Sequence, residues 1–336
     1  MRKLLSVLLF SSITCAIPWS ASALASEERL GFGLISTASA EAVTGYWRPL
    51  LDDLEQRLGI KVEPLVYDDY AGVIWAMKSG AVQIAWLGNA SAIEAVDRAG
   101  GEVAFQVVDT KGRSEYFAHL IVNPKSGLAD VEDVFAKAAA LTFGDGDINS
   151  TSGHVIPGYY LFTSRGLDPR EIFKRVVQNN HENNFLGVAE GRIDVATSNN
   201  VDLERFLTSH PNRSRDVKII WTSPPIPSDP IVWRADLPGG LKAKIRAFML
   251  DYGHPAPGKS PEQLAKEARI LAAMARSGFR ESDNRQLIPI RIIELGRLRS
   301  RVLANDAIDP AERLQRLDDI DAQLRALEKR QAETSP

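Results

Sequence analysis

The chain has 336 residues, with 40 Lys and Arg against 43 Asp and Glu, and its net charge at pH 7 is −3. This near balance, without a dense basic block ahead of the C-terminal region, argues against nucleic acid as a partner. Cys15 is the only cysteine. Because it lies in the N-terminal leader, we predict no thiol catalysis, thiolate metal site or disulfide in the mature chain.

The N-terminal leader has the three parts of an export signal. Met1–Lys3 is basic, a short and mostly apolar run follows, and Ala23–Ala25 has the small-x-small pattern of a cleavage site. We therefore predict a signal peptide over residues 1–25, cleaved near Ala25, and a periplasmic mature protein. The alternatives are an uncleaved anchor helix, which the shortness of the run disfavours, and lipid attachment at Cys15, whose surroundings make a poor lipoprotein motif.

Strand and helix patterns alternate in the segment after the leader. Apolar residues three and four positions apart mark the helices, and short apolar runs mark the strands. The predicted elements are a strand at 30–36, a helix at 47–58, a strand at 61–66, a helix at 70–78 and a strand at 82–86. This βαβαβ order predicts a parallel sheet with helices on both faces.

The same order returns in the middle of the chain and indicates a second, similar lobe. After the apolar segment 117–123, the predicted elements are a strand at 141–144, a helix at 153–164, a strand at 175–177, a helix at 184–190 and a strand at 193–196. The apolar segments 217–221 and 230–233 are then expected to return toward the first lobe.

One segment between a strand and a helix is the strongest candidate for a binding site. The glycine-rich turn that starts at Gly144 leads into Ser150, Thr151 and Ser152, just before a helix expected to begin near Ser152 because Pro157 lies a turn further on. Free N–H groups, the positive helix end and three hydroxyls would form a site for a tetrahedral oxyanion. Ordinary helix capping is the alternative.

Three further polar residues lie where helices or turns begin. Tyr70 opens the second helix, His181 opens a helix after a strand, and Asp229 lies in a tight turn between Pro227 and Pro230. The tyrosine could donate a hydrogen bond through its hydroxyl. The alternatives are a helix cap or solvated loop for His181 and a self-bonded turn for Asp229.

The parts needed for catalysis are missing from the sequence. No Gly-Lys-Ser/Thr follows the glycine-rich turn, no Gly-x-Ser-x-Gly motif occurs, and no His/Asp pair has metal-binding spacing. We predict that the protein is not an enzyme and uses neither a cofactor nor a metal.

The C-terminal stretch predicts a long amphipathic helix. Asp309 is a capping residue, Pro310 suits the first turn and Glu312 follows three positions after the cap. Apolar residues then recur at alternating spacings of three and four: Leu314, Leu317, Ile320, Leu324 and Leu327. The helix would have about 20 residues. Its apolar stripe either packs on the same chain or mediates a homodimer, and the pattern leaves both open.

Several segments together resemble the periplasmic phosphonate-binding proteins of ABC importers. They lie between about residues 32 and 291: Phe32–Thr37, Asp69–Gly72, Ile84–Asn89, Asn149–Gly153, Pro157–Tyr160, Asp194–Thr197 and Ile226–Arg234. The resemblance implies an α/β, two-lobed type II periplasmic binding protein fold (a Venus flytrap) with extended C-terminal helices. Lobe 1 would comprise residues 26–122 and 223–290, lobe 2 residues 123–222, and a helical extension residues 291–336.

The resemblance also implies roles for particular residues. In that family a Ser-Thr-Ser run, here Ser150–Ser152, holds the phosphonate oxygens. Tyr70, Tyr116 and His181 correspond to further binding residues, and Asp229 to a carboxylate near the organic end, where the ligand can carry an amine.

One departure from the family pattern concerns its second carboxylate. Ungapped alignment places Val201 at that position, with Asp202 one step beyond. If Asp202 does not reach the pocket, recognition of an aminoalkyl end is in doubt.

The implied function is that of the extracytoplasmic substrate-binding component of an ABC importer. It would bind organophosphonates such as 2-aminoethylphosphonate and deliver them to the transmembrane subunits of the permease. The alternatives are a receptor for phosphite or another phosphorus oxyanion and a sensory module that presents its ligand to a membrane protein.

Overall fold

Two β-sheets organise the chain in the computed structural model, which describes residues 29–213 and 215–334. The predicted signal peptide and its cleavage point lie outside these residues. Within the described part, no helix combines the length and the apolar character needed to cross a membrane. Helices and sheets alternate, so the predicted α/β class is confirmed.

The described elements follow in chain order. The strands are β1 (Arg29–Leu34), β2 (Lys61–Val66), β3 (Ile84–Trp86), β4 (Gly101–Asp109), β5 (Glu115–Tyr116), β6 (Ala118–Val122), β7 (Thr142–Asp145), β8 (Arg175–Gln178), β9 (Val195–Asn199), β10 (Lys218–Thr222), β11 (Ile226–Pro227), β12 (Pro230–Arg234) and β13 (Arg276–Glu281). The α-helices are α1 (Ala40–Leu58), α2 (Tyr70–Ser79), α3 (Asn89–Arg98), α4 (Val131–Lys137), α5 (Pro169–Ile172), α6 (His181–Ala189), α7 (Asn200–Ser209), α8 (Gly239–Asp251), α9 (Pro261–Ala273), α10 (Ile288–Ala304) and α11 (Pro310–Thr334). Short 3₁₀ turns lie at Pro124–Ser126, Ala138–Ala140, Thr163–Arg165, Pro211–Arg213 and Asn284–Leu287.

The first sheet is the centre of lobe 1 and has the strand order β13-β4-β12-β3-β1-β2. β1 runs parallel to β2 and β3, as the βαβαβ pattern predicts, and β12 and β13 pair antiparallel with their neighbours. Trp47 of α1 packs on Phe32 of β1, with ring centroids 5.3 Å apart. Leu50 and Leu54 of the same helix face are completely buried, so the predicted apolar stripe holds α1 on the sheet.

Helix α1 begins seven residues before its predicted start at Trp47, since its first residue is Ala40. Ser39 caps it by accepting a hydrogen bond from the Ala42 N–H at 3.2 Å, and Val43 starts its buried face. The helix continues through Pro49. Packing against the sheet therefore outweighs the unfavourable helix propensity of proline.

The second sheet is the centre of lobe 2 and has the strand order β10-β6-β9-β7-β8. β7 is parallel to β8 and β9, whereas β6 is antiparallel to β9 and β10. Two expectations are corrected here. The segment at 217–221 does not return to lobe 1, because β10 pairs with β6. The first part of lobe 1 also ends before β6 rather than at residue 122, because β6 belongs to the second sheet.

The chain passes between the two sheets twice, and the two passages pair with each other. β5 and β11 form a short antiparallel ribbon in which Ile226 lies opposite Tyr116 and Pro227 opposite Glu115. This ribbon holds Tyr116 at the junction of the lobes and leads from β11 directly to Asp229.

The C-terminal helices α10 and α11 pack against each other. Arg299 of α10 donates hydrogen bonds to the Asp321 carboxylate of α11, the shorter at 2.6 Å, and Arg291 pairs with Asp97 of α3. Ile320, in the middle of the predicted apolar stripe, is buried, whereas Leu314 remains 62% exposed. Part of the stripe therefore packs on the same chain, and its first residue faces solvent.

Candidate functional site

A crevice between the two lobes collects side chains from both sheets. All eight side chains predicted to bind a ligand line it: Tyr70, Tyr116, Ser150, Thr151, Ser152, His181, Asp202 and Asp229. It lies beyond the carboxyl ends of several parallel strands, where ligands bind in open α/β sheets.

Helices from both lobes begin at this crevice. α2 begins with Tyr70, α6 with His181, and Asp202 lies in the first turn of α7. Lobe 2 also contributes a run of π-helical turns at Thr151–Val155 and Gly158–Phe162, which we call the site helix. Each helix start carries free N–H groups and a partial positive charge. Their convergence makes the crevice favourable for an anion.

Ser150 caps the site helix by accepting a hydrogen bond from the Gly153 N–H at 3.0 Å. The helix therefore begins at Thr151, one residue earlier than expected. Pro157, which has no N–H to donate, lies between its two π-helical stretches. Capping explains the hydroxyl of Ser150, but it leaves the hydroxyls of Thr151 and Ser152 unexplained.

All three hydroxyl oxygens of the Ser150–Ser152 run already accept a hydrogen bond from the protein. Thr151 Oγ1 accepts from the Ala90 N–H across the crevice at 2.9 Å, and Ser152 Oγ accepts from Asn199 Nδ2 at 3.2 Å. The run is buried. A hydroxyl that accepts one bond still has a proton to donate. Each hydroxyl at this helix start can therefore donate its proton either to a neighbouring phenol or to a ligand.

Tyr70 and Tyr116 add two phenol groups next to this run. Burial raises the pKa of both well above 10, and nearby carboxylates raise it further, chiefly Asp202 for Tyr70 and Asp229 for Tyr116. Hydrogen bonds with the hydroxyl run partly offset this effect. Both phenols stay protonated at physiological pH and can act as hydrogen-bond donors.

His181 is buried at the start of α6, with its Nε2 3.5 Å from Ser150 Oγ and 3.4 Å from Asn199 Nδ2. Asn180, and not His181, caps this helix, since its side chain accepts from the Asn183 N–H at 2.8 Å. Burial lowers the pKa of His181, although Asp202 opposes the effect. The imidazole is therefore neutral near pH 7. Its Nδ1 has no hydrogen-bond partner within the described residues.

Asp202 reaches the crevice, which answers the doubt raised by its position one step beyond the family pattern. Its carboxylate accepts from Asn199 Nδ2 at 2.7 Å and pairs with Arg205. Arg205 in turn donates to Thr37 Oγ1 of lobe 1 at 3.2 Å. The charge of Asp202 is therefore already balanced, and Val201, the aligned position, contributes only an apolar surface.

Asp229 is the carboxylate at the other side of the crevice. It accepts a hydrogen bond from Trp86 Nε1 at 3.0 Å, in contrast to the self-bonded turn considered as its alternative. Burial raises the pKa of Asp229 to about 7, while the positive charge of Arg276 works in the opposite direction. Asp229 thus changes charge near neutral pH.

Two arginines of this site were not predicted from the sequence. Arg205 and Arg276 both line the crevice and are almost completely buried. Arg205 follows its partner Asp202 on the same helix, so an i, i+3 pairing was the one available signal. Arg276 lies on a strand without any recognisable motif.

Several hydrogen bonds cross the crevice and hold the lobes together. The Tyr70 N–H donates to Asp147 Oδ2 at 3.2 Å, and the Ser39 N–H donates to Glu182 Oε2 at 3.0 Å. The Glu182 N–H donates to the Thr37 carbonyl at 3.1 Å. The described residues include no group of three or more His, Cys, Asp or Glu side chains arranged to hold a metal ion.

Comparison with known proteins gives a consistent picture. Residues 32–287 match the family model described as "ABC transporter, phosphonate, periplasmic substrate-binding protein". The phosphonates-binding periplasmic protein of Escherichia coli (strain K12) is 42% identical over 303 residues, which cover 90% of this chain and 87% of that protein.

Solved structures show the same similarity. A binding protein component of an ABC phosphonate transporter from Pseudomonas aeruginosa is 42% identical, with a TM-score of 0.85 over 91% of this chain and 99% of the other. PhnD1 of Prochlorococcus marinus (MIT 9301), solved in complex with methylphosphonate, is 20% identical, with a TM-score of 0.68 over 79% of this chain and 96% of the other. At that identity the second similarity concerns the fold alone.

Proposed function

The chain belongs to the family of periplasmic substrate-binding proteins of phosphonate ABC transporters, and we propose that it holds an organophosphonate in the crevice through the hydroxyls of Ser150–Ser152. It is a periplasmic binding component of type II fold and not an enzyme. Its partners are a small phosphonate ligand and the membrane subunits of the importer, to which it delivers that ligand.

The observation that carries this proposal is the arrangement of the three hydroxyls at the start of the site helix. Their oxygens accept bonds from the Gly153 N–H, the Ala90 N–H and Asn199 Nδ2, so their protons can point at a ligand. Bonds to a charged phosphonate are stronger than bonds between neutral groups. They offset the cost of removing the dianion from water, and Tyr70 and Tyr116 supply further donors.

Ligand binding and lobe closure are coupled in this proposal. The hydroxyl run belongs to lobe 2, whereas Tyr70 lies in lobe 1 and Tyr116 in the ribbon between the lobes. A ligand that contacts all of them stabilises the closed form more than the open form. Release then requires only that the importer opens the lobes.

The groups on the far side of the crevice recognise the organic part of the ligand. Asp229 offers a negative charge that would attract an ammonium group and repel a bare oxyanion. Phosphite, the competing ligand, presents the same type of oxyanion but has no organic end for Asp229 and Trp86 to contact.

Calorimetric titration tests the proposal directly. We expect 2-aminoethylphosphonate and methylphosphonate to bind more tightly than phosphite or phosphate. Thr151→Val keeps the shape of the side chain but removes its hydroxyl, and it should weaken both phosphonates by about 10-fold to 100-fold. Ser164→Ala, which removes a hydroxyl outside the crevice, is the control and should leave binding unchanged. Stronger binding of phosphite than of either phosphonate would contradict the organic part of the proposal.

We further propose that the C-terminal helices mediate a homodimer. Leu298, Leu303 and Leu314 on α10 and α11 are exposed, and burying them against a second copy would be favourable. Sedimentation analysis of Leu314→Glu and of the unchanged protein tests this proposal. A monomeric unchanged protein would contradict it.

We also propose that the signal peptide is cleaved near Ala25. The intact mass of the exported protein tests this cleavage point.

A further inference from the structure

Arg276 is a buried cation whose side chain lacks hydrogen-bond partners at two of its nitrogens. It is 4% exposed, and its Nε and Nη1 bond to no group within the described residues. Its guanidinium lies 4.7 Å from the ring centroid of Trp47 and 4.8 Å from that of Trp86. Ring contacts of this kind stabilise the charge but leave the N–H donors unused.

The backbone around Arg276 is shaped so that this side chain lines the crevice. Ala275, directly before it, is the one residue other than glycine with a positive φ in the described part of the chain, at 57°. The pairing of β13 with β4 is irregular between Arg276 and Gly278. Bulges redirect side chains, and strained residues persist mainly where the surrounding structure requires them.

The unused donors of Arg276 can bind an acceptor that enters the crevice. An arginine stays charged in a protein, and a buried charge without a partner is costly. Asp229 is close enough to interact with Arg276 electrostatically, but its carboxylate accepts from Trp86 Nε1. Arg205, the other arginine of the crevice, already has Asp202 as its partner. Arg205 also has one unused donor, its Nε, but Asp202 balances its charge, whereas Arg276 has two unused donors within the described residues.

Asp202 is the one counterpart of the family's second carboxylate among the described residues of the crevice, and its charge is already balanced. Val201 occupies the aligned position, and Asp202 is paired with Arg205. A ligand with an ammonium group but no carboxylate would meet the Asp229 carboxylate and the Arg276 guanidinium, and it would offer no anion to Arg276. A group that carries both an ammonium and a carboxylate would match Asp229 and Arg276 together.

We propose that Arg276 binds a carboxylate at the organic end of the ligand, so that the substrate class of this site is phosphonates with a carboxylate beside the amine. This inference rests on the proposed function, in which the phosphonate itself lies at the start of the site helix. It makes Arg276 a specificity-determining residue, with Asp229 as the partner of the amine.

Two ligand pairs that differ only by a carboxylate test the inference by calorimetry. 2-Amino-3-phosphonopropionate is 2-aminoethylphosphonate with a carboxylate on the amine-bearing carbon, and phosphonoacetate is methylphosphonate with a carboxylate on its methyl carbon. We expect the carboxylated member of each pair to bind at least about 10-fold more tightly, the effect of one charge-assisted bond.

The variant Arg276→Gln assigns that difference to one side chain. It should weaken the two carboxylated ligands by about 10-fold to 100-fold and change the other two by less than about 3-fold. Arg280→Gln is the matched control, because Arg280 lies on the same strand but is exposed and donates to Gln106 Oε1 at 2.8 Å. It should bind all four ligands as the unchanged protein does.

The outcomes separate this inference from the proposed function. Equal or weaker binding of the carboxylated ligands by the unchanged protein overturns the inference, even if Arg276→Gln does not fold. An equal loss for all four ligands in a folded Arg276→Gln protein, verified by thermal denaturation, also overturns it. If none of the four ligands binds, the proposed function itself fails.

Discussion

At the scale of single residues, the site separates into a part that is local in sequence and a part that is not. Ser150, Thr151 and Ser152 are adjacent in the chain, and a run of three hydroxyls exceeds what one helix cap requires. That excess is the reason why the sequence predicts an oxyanion site at this helix start. Arg276 could not be predicted, because only the pairing of β13 with β4 brings it to the crevice.

Asp229 is expected to discriminate between ligands by charge. Replacing it with alanine removes the carboxylate that would attract an ammonium group of the ligand. Asp229→Ala should therefore weaken 2-aminoethylphosphonate by about 10-fold or more and methylphosphonate much less. Titration of both ligands measures this ratio, and equal losses would refute the role.

The same residue predicts a pH dependence of selectivity. Burial raises the pKa of Asp229 to about 7, so the carboxylate is mostly neutral at pH 6 and mostly ionised at pH 8. The preference for 2-aminoethylphosphonate over methylphosphonate should therefore grow by up to about 10-fold between these pH values. In Asp229→Asn the preference should vary only with the titration of the ligands themselves. A preference that is constant in the unchanged protein, after that correction, contradicts the assignment.

At the scale of secondary-structure elements, the site depends on how closely the glycine-rich turn approaches the site helix. A Cβ at Gly146 would lie 2.6 Å from the backbone of Gly153. The Gly146 N–H also donates to the Gly153 carbonyl at 3.0 Å. The turn and the helix start therefore fit together only when residue 146 has no side chain.

Gly146→Ala should separate the turn from the site helix and move the hydroxyls. We expect it to weaken every phosphonate by about 10-fold or more, whatever its organic end, because the shared headgroup contacts are displaced. Gly45→Ala is the matched control, since a Cβ there meets no atom within 4 Å. It should bind normally and gain about 0.5–1 kcal/mol of stability within its helix. Unchanged binding by Gly146→Ala would contradict this account.

The elements also show which features of the fold are readable from a sequence. The period of apolar residues located β1–β3, β7–β9 and the helices between them, because burial of one face imposes that period. It did not locate β4 and β13 of the first sheet. The same apolar period placed the start of α1 too late. The first turn of this helix, which Ser39 caps, has a weak apolar pattern, and packing stabilises it. The period also gave no information on strand partners, which is why the return of the chain toward lobe 1 was expected at 217–221, although β10 pairs with β6.

At the scale of the whole molecule, binding is expected to depend on contacts that form only when the lobes close. Glu182 of lobe 2 accepts from the Ser39 N–H of lobe 1 and donates its own N–H to the Thr37 carbonyl. The bond between the Glu182 carboxylate and the Ser39 N–H does not involve any of the residues proposed to contact the ligand. Its removal therefore tests closure separately from recognition.

Glu182→Ala should increase the dissociation rate of bound phosphonate by about 2-fold to 10-fold, the effect of one ordinary hydrogen bond. The association rate should change little. Glu190→Ala serves as the control, because Glu190 is on the same lobe and pairs with Arg192 and Arg213 of that lobe. Stopped-flow displacement measures both rates, and an unchanged dissociation rate in Glu182→Ala would argue against a role of this bond in closure.

The most direct test of the central claim is a crystal structure of the protein with bound 2-aminoethylphosphonate. We expect the phosphonate oxygens within hydrogen-bond distance of the hydroxyls of Ser150, Thr151 and Ser152, with the amine directed toward Asp229. A phosphonate bound against Arg276 with its amine at the helix start, or a ligand outside the crevice, would contradict it.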